Sequence, residues 1–550
     1  MAHIDVSHVS YRLGDGSALL DQVSFHISDG SKSALIGPNG GGKTTLLRML
    51  SGDLLPDEGT IGIGGELAVM HQSIGRVSAT QSVRQLLASA AAPAVRAGAE
   101  KLLASEAAMA KRSCEPTQLA YAQALADWND VGGYLVEAVW NECCLAALGE
   151  PFEAVERRSA GTLSGGEQKR LVLEALLRGQ APLLLLDEPD NFLDVPAKRW
   201  LEGKLLETPK TVLMVSHDRE LLSRCAQRIV TLEDRSCWVH GGSFAEYPAA
   251  RRARNLRQEE VLRRWSEERD RIRVMVRTLR EQAGMSDAMA SRYHAAETRL
   301  RHFEEAGPPP APPRAQAVTM RLGGGRTGVR ALTCRRLELP GLIEPFDLEL
   351  FYGERLAVLG ANGTGKSRFL ELVAGGGTDL DLPGPTRGER DGWAGSCRLG
   401  ARVVPGFFAQ TYERTTLDGS GSLLAVLERE CSMPRGPAMS ALRRYELERQ
   451  AGQLFDTLSG GQRARFQLLL VELSGATLLV LDEPTGNLDL VSAQALEDGL
   501  KAFVGTVVAV THDRWFARSF SRFLVFEADG GVREWLEPTW EVSKSRRAVG

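Results

Sequence analysis

Short apolar runs recur along the chain and stop at charged residues. Residues 183–186 and 478–481 each hold four apolar side chains and end in Asp-Glu. Residues 211–216 and 506–511 have apolar interiors between hydroxyl residues and lead into His-Asp-Arg. Ala34-Leu-Ile and Leu356-Ala-Val-Leu each stand before a glycine-rich turn and an amphipathic stretch. Runs this short, bounded by polar residues, read as strands buried on both faces of a parallel sheet. Two other regions have a different rhythm. Residues 86–136 contain Ala, Leu and Glu with few glycines and predict a helical hairpin. Leu262, Trp265, Arg269, Ile272, Val276 and Leu279, then Met289, Tyr293, Ala296, Leu300 and Phe303, alternate steps of three and four. That spacing is the seam of a coiled coil. Gly284 as a helix stop and Ser286 or Asp287 as a cap make it two antiparallel helices, and a 30-residue arm extends about 45 Å. Gly307-Pro-Pro-Pro-Ala-Pro-Pro313 ends the second helix in an extended connector.

The chain repeats itself. Gly37-Pro-Asn-Gly-Gly-Gly-Lys43-Thr44 returns as Gly360-Ala-Asn-Gly-Thr-Gly-Lys366-Ser367. Ser164, Asp187 and His217 each have a counterpart 295 residues downstream, at Ser459, Asp482 and His512. A constant offset means a duplicated domain. Between Gln72 and Leu163 the first copy runs 91 residues, whereas Gln410 to Leu458 takes 48, so the helical stretch near 86–136 is an insertion in the first copy.

Composition narrows the class. At 550 residues with 43% hydrophobic and 25% charged positions, the chain is neither disordered nor fibrous and exceeds one compact core. No apolar run reaches the roughly 18–20 residues that cross a bilayer, and no export signal is visible, so a cytoplasmic location is expected. Eight cysteines without a Cys-x-x-Cys pair point to reduced packing residues rather than disulfides or zinc. The formal charge is -4, yet residues 251–306 carry 14 Arg and no Lys against 10 Asp and Glu, a local excess of +4.

Each Gly-x-x-x-x-Gly-Lys-Ser/Thr sits between a predicted strand and helix, the context of a phosphate loop. Gly37, Asn39, Gly40, Gly42, Lys43, Thr44 and Thr45 in the first copy, and Gly360, Asn362, Gly363, Gly365, Lys366 and Ser367 in the second, are the expected ATP contacts. Thr44 and Ser367, Asp187 and Asp482, and Gln72 and Gln410 are the candidate Mg²⁺ ligands. Glu188 and Glu483, one residue beyond the buried aspartates, are the candidate bases that polarise the attacking water, with His217 and His512 near the γ-phosphate. Ser164-Gly165-Gly166 and Ser459-Gly460-Gly461 open helices and form a second anion site per copy. That site is redundant within one domain, so two copies facing head to tail, each capping the other's nucleotide, is the economical arrangement.

The ordered set of phosphate loop, Gln, Leu-Ser-Gly-Gly, Asp-Glu-Pro, Leu-Asp and His-Asp, twice over, resembles ATP-binding cassette proteins across both halves. Two cassettes on one chain, an insertion in the first and a helical-hairpin linker resemble the ABC-F group. The resemblance implies an α/β fold: two P-loop ATP-binding cassette domains joined by an antiparallel α-helical hairpin linker. The expected boundaries are 1–245 with an arm near 86–136, a linker at 246–322, a second cassette at 323–540 and a tail at 541–550. It also implies an ATP hydrolase that binds the ribosome, with linker and arm meeting rRNA and tRNA, and a monomer whose cassettes pair intramolecularly. Members act as translation factors or protect ribosomes from antibiotics, and the protective branch is the reading taken. The alternatives are a general translation factor and the ATPase subunit of a transporter with separate membrane partners. Tyr11 lies where the family stacks an aromatic on adenine, and residues 334–339 of the second copy hold no aromatic. The family's Glu-Pro-Thr-Asn-His-Leu-Asp becomes Glu188-Pro-Asp-Asn-Phe-Leu-Asp194 and Glu483-Pro-Thr-Gly-Asn-Leu-Asp489. The turn at 283–287 is shorter than the loop many resistance members carry.

Overall fold

Five consecutive buried residues make a strand that both faces of a sheet must cover, and this rule builds each half of the chain. The computed structural model describes residues 2–71, 74, 81–283, 287–313, 318–377, 392–409 and 421–540. Gln72, Gln410, Gly284 and Ser286, named above, and residues 541–550 lie outside the described residues.

In the first half β1 (His3–Arg12) pairs antiparallel with β2 (Ala18–Ile27), and β3 (Lys32–Ile36), wholly buried, feeds the phosphate loop and α1 (Lys43–Leu50). β4 (Glu58–Gly64) pairs with the other edge of β1, and β5 (Leu67–Met70) joins the main sheet. A helical region follows: α2 (Val83–Ser89), α3 (Pro93–Lys111), α4 (Glu115–Asp130), α5 (Gly133–Leu148), α6 (Phe152–Val155) and α7 (Gly165–Arg178). β6 (Leu183–Asp187), α8 (Val195–Glu207), β7 (Thr211–Val215), α9 (Arg219–Cys225), β8 (Arg228–Glu233) and β9 (Ser236–Gly241) complete a six-stranded sheet of order β5-β6-β7-β3-β8-β9.

The register of this sheet positions the chemistry. Leu35 and Asp187 both lie level with Val215, so Gly37, Glu188 and His217 leave the sheet at one edge. Ligands of open parallel sheets bind at that carboxyl edge. On one face the sheet packs against the β1–β2 layer and α1 through Val6, Phe25, Leu46 and Leu185. Burying each such side chain contributes about 1.5–3 kcal/mol.

The stretch His240–Ala315 forms its own compact unit. It contains α10 (Tyr247–Gln282), 36 residues and so about 54 Å long, and α11 (Asp287–Glu305). Ile272 and Ala296 are buried in the seam and Trp265 stacks on Phe303 with ring centroids 5.4 Å apart. Arg273–Glu304 and Arg299–Glu268 pairs bridge the helices at 2.7 and 3.4 Å.

The second half repeats the first. β10 (Arg330–Leu339) and β11 (Ile343–Phe351) pair antiparallel, then β12 (Arg355–Gly360) feeds the second phosphate loop and α12 (Lys366–Ala374). β13 (Ala394–Leu399), β14 (Pro405–Phe408), α13 (Leu423–Glu430), α14 (Arg435–Arg444), α15 (Gly460–Leu473), β15 (Leu478–Asp482), α16 (Leu490–Ala502), β16 (Thr506–Val510), α17 (Arg514–Ala517), β17 (Arg522–Phe526) and β18 (Val532–Trp535) follow. The sheet order β14-β15-β16-β12-β17-β18 reproduces the first sheet strand for strand. Val358 and Asp482 both lie level with Val510, the same register as before.

Candidate nucleotide-binding sites

Both phosphate loops depend on glycines that no other residue could replace. Gly37 (φ +156°) and Gly360 (φ +141°) turn so close to the neighbouring strand that a Cβ would lie 2.3 Å from the carbonyl oxygens of Leu232 and Phe526. Gly42 and Gly365 hold left-handed conformations at the starts of α1 and α12. Each loop leads directly into the N-terminus of its helix, a setting suited to phosphate. Lys43 Nζ donates to the carbonyls of Gly37 and Pro38 at 2.8 and 3.0 Å, and Lys366 Nζ to that of Gly360 at 3.0 Å. Burial holds both lysines below the ordinary value, against the pull of Asp489, Glu188 and Asp187 on the first and Glu483 and Asp482 on the second.

Beside the first loop Thr44 Oγ1 lies 3.4 Å from Asp187 Oδ2, and Thr45 is half-buried next to it. Burial, and then Glu188, pushes the Asp187 carboxyl up to about 6. Its other oxygen, Oδ1, is buried and has no hydrogen-bond partner among the described residues. Asp482 is raised by burial too, with Ser367 donating to it. A hydroxyl and a buried carboxylate with a spare oxygen suit a Mg²⁺ ion that arrives on phosphate and keeps most of its water.

Glu188 and Glu483 share a strained backbone, with φ of +50° and +48°. Non-glycine residues seldom adopt this region, and it concentrates at functional positions. Hydrogen bonds from their amides to the carbonyls of Val215 and Val510, at 2.9 and 3.0 Å, fix the turns. Burial, reinforced by Asp482, pushes the Glu483 carboxyl up to about 7. His512 Nε2 approaches Glu483 Oε1 at 3.4 Å. That spacing is within ion-pair range, while burial holds the imidazole well below its ordinary value and so disfavours the charged form of the ring. His217 is pushed down to about 3 by burial and by Lys43, and both its ring nitrogens are buried without a hydrogen-bond partner among the described residues.

Ser164 and Ser459 cap α7 and α15 through reciprocal bonds with Glu167 and Gln462, which leaves the first turns of both helices in fixed orientation. The two halves meet head to tail. Asn39 of the first loop donates its amide to Asp489 (3.1 Å) and its side chain to the carbonyl of Asn487 (3.2 Å). Asn362 of the second loop donates to the carbonyl of Phe192 at 3.0 Å. A Cβ on Gly461 would lie 1.9 Å from Asn39 Nδ2, so the second capped helix starts flat against the first loop. A cavity of about 490 Å³ joins Ser164, Gly165 and Gly166 of the first half to Lys366, Glu483 and His512 of the second. Gly40 and Gly363 stand open, with no atom near a built Cβ. Gly460 lies near Asn487. Tyr11, half-buried, is opposite Leu20, which packs on Gly42; the corresponding contact on Gly365 comes from Leu342 and Ile343.

Sequence reasoning passed over the ion pairs that close this interface. Arg219 pairs with Glu497 at 2.8 Å, and Arg514 pairs with Glu202, all four side chains buried. Each is the 295-residue counterpart of the other, a signal already present in the repeat. It also passed over a cluster of first-half side chains that the repeat does not reproduce. Asp190 accepts from Ser216 Oγ at 2.7 Å, Lys198 binds Asp218 at 2.9 Å, Asn191 donates to Glu188 at 2.6 Å, and Lys169 donates to the Glu188 carbonyl. The second half has Thr485, Ala493, Gly486 and Ala464 at these positions.

Comparison with known proteins converges on the same class. The ABC transporter family profile matches residues 20–191 and 343–486. A Mycobacteroides abscessus protein named as an antibiotic resistance protein is 54% identical over 98% of this chain and all of its own length. A tylosin resistance ATP-binding protein of Streptomyces fradiae is 33% identical, covering 92% of this chain and 94% of its own. An energy-dependent translational throttle protein of Mycobacterium tuberculosis is 28% identical over 93% and 89%. Among solved structures, an RNase-L inhibitor superposes with a TM-score of 0.51 over 96% of this chain and 90% of its own at 17% identity, a likeness of fold. The site and the fold define a tandem ATPase of two ATP-binding cassettes, a class of domain that binds nucleotide. The chain belongs to the ATP-binding cassette family and, within it, to the ABC-F group.

Proposed function

We propose that this protein is a ribosome-binding ATPase that protects translation from an antibiotic. The observation that carries the reading is full-length similarity to two resistance proteins, at 54% and 33% identity, in a chain that joins two cassettes through an arginine-bearing hairpin. Among the described residues no helix is long and apolar enough to cross a membrane. Guanidinium groups bind phosphate bidentately and stack on bases, which suits a hairpin that meets rRNA and tRNA.

In this reading one ATP lies on each phosphate loop under the capped helix of the opposite cassette, one between Lys43 and Ser459, the other between Lys366 and Ser164. Backbone amides of residues 37–45 and 360–367 bind the phosphates. Thr44 with Asp187, and Ser367 with Asp482, would hold Mg²⁺, which when bound neutralises charge on the phosphates; Gln72 and Gln410 complete the proposed ligand sets. Glu188 and Glu483 accept a proton from the attacking water, and His217 and His512 meet the γ-phosphate. Binding of both nucleotides keeps the halves together; hydrolysis lets them part.

The test is sucrose-gradient sedimentation of the Glu188→Gln, Glu483→Gln double variant with lysate and ATP. ATP binding is retained, turnover falls by about 10²–10⁴-fold and the protein runs with ribosomes. Tylosin-challenged translation then separates protection from general factor activity, the reading favoured by the throttle-protein relative. A protein that follows membranes would turn the reading toward a transporter subunit; a double variant hydrolysing ATP at the parent rate would remove the two glutamates as bases.

A further inference from the structure

Lys198 starts on the first cassette and ends at the second cassette's site. It lies on α8, directly after the segment whose Phe192 carbonyl touches Asn362. Its Nζ binds Asp218 Oδ2 of its own cassette at 2.9 Å and, across the boundary, donates to the backbone carbonyl of His512 at 3.3 Å. His512 is the residue whose ring approaches Glu483. Asp190, buried and bonded to Ser216, adds a second carboxylate beside the ammonium. The first site has no equivalent, because the position matching Lys198 is Ala493 and that matching Asp190 is Thr485.

We infer that Lys198 is a positioning residue for ATP hydrolysis at the second site, where it pins the backbone of His512 only while the cassettes are closed. The 2.9 Å bond to Asp218 anchors the ammonium, and the longer 3.3 Å bond to the His512 carbonyl ties the segment that carries the imidazole to that anchor. Asp218 and Asp190 keep the ammonium charged in a buried place and aim it across the boundary. The inference rests on Glu483 and His512 being the hydrolytic set of the second site.

The experiment isolates that site in full-length protein carrying Glu188→Gln. Adding Lys198→Met lowers kcat about 10-fold with KM for ATP unchanged, and Lys198→Arg in its place restores most of the rate. Removing the ammonium alone leaves two buried carboxylates facing each other, so a second variant, Asp190→Thr with Lys198→Ala, installs the neutral pair that the second cassette already uses. If Lys198 only balanced charge, this pair would restore the rate; a positioning role leaves kcat low in a protein that melts like its parent. Parent-level kcat in either the Lys198→Met or the double-substituted protein would overturn the inference. A Glu188→Gln parent that is itself inactive, beside an active Glu483→Gln parent, would instead overturn the reading of Glu483 and His512 beneath it.

Discussion

At the scale of single residues the two sites are built by backbone constraints. Gly461 illustrates the point, because its missing Cβ is what allows Asn39 to reach the carbonyl of Asn487. A methyl group there pushes Asn39 away and props the interface open over the first phosphate loop. Gly461→Ala therefore retains nucleotide binding by Lys43 and its loop but loses turnover by at least about 10-fold, read by fluorescent-nucleotide titration beside a phosphate-release assay. The turns that carry the loop glycines and the two glutamates were legible in the sequence because each is set by near neighbours on the chain. Lys198 was not, since its partners are Asp218 and a carbonyl 314 residues away, and Ala493 removes it from the repeat that exposed everything else. The strain at Glu188 and Glu483 was also invisible, because a φ of +50° has no signature in a glutamate.

At the scale of elements, the arm of the first cassette turns on Trp128. Its side chain is fully buried among α3, α4 and α5, and two glycines make room for it: a Cβ on Gly98 would sit 3.1 Å from the indole, and one on Gly133 would sit 2.1 Å away. Lys101 on α3 pairs with Asp127 on α4 across the exposed side, which adds little. Trp128→Ala should cost about 3–5 kcal/mol, seen as lost hydrogen-exchange protection confined to α3–α5. The helical pattern of this stretch was legible, whereas the purpose of its few glycines shows only once the indole is in place. In the hairpin the seam was legible residue by residue, because a three-four spacing specifies which side chains meet: each of the eleven seam positions is buried or half-buried.

At the scale of the whole molecule, the constant offset revealed two cassettes, and the redundancy of the capped helices indicated that they face one another. The bonds that hold them could not be assigned from sequence, since a repeat says which residues correspond and not which residues touch. Arg219–Glu497 and Arg514–Glu202 are both buried, and each bond joins one copy to the other. Removing one partner leaves an uncompensated charge, whereas replacing both with apolar residues of similar size does not. Glu497→Gln should lower the stability of the paired cassettes by about 3–5 kcal/mol, and Arg219→Met with Glu497→Leu should recover most of it. The onset of the first transition in a urea titration reads both.

Because the two halves that complete each site are parts of one chain, closure is a first-order event. Separate half-proteins would have to find each other by collision, and at a few copies per cell most would stay apart. Covalent tethering fixes the local concentration of one cassette around the other at a level of roughly millimolar, whatever the expression level. The paired sites therefore assemble equally well in a cell holding one copy of the chain or many.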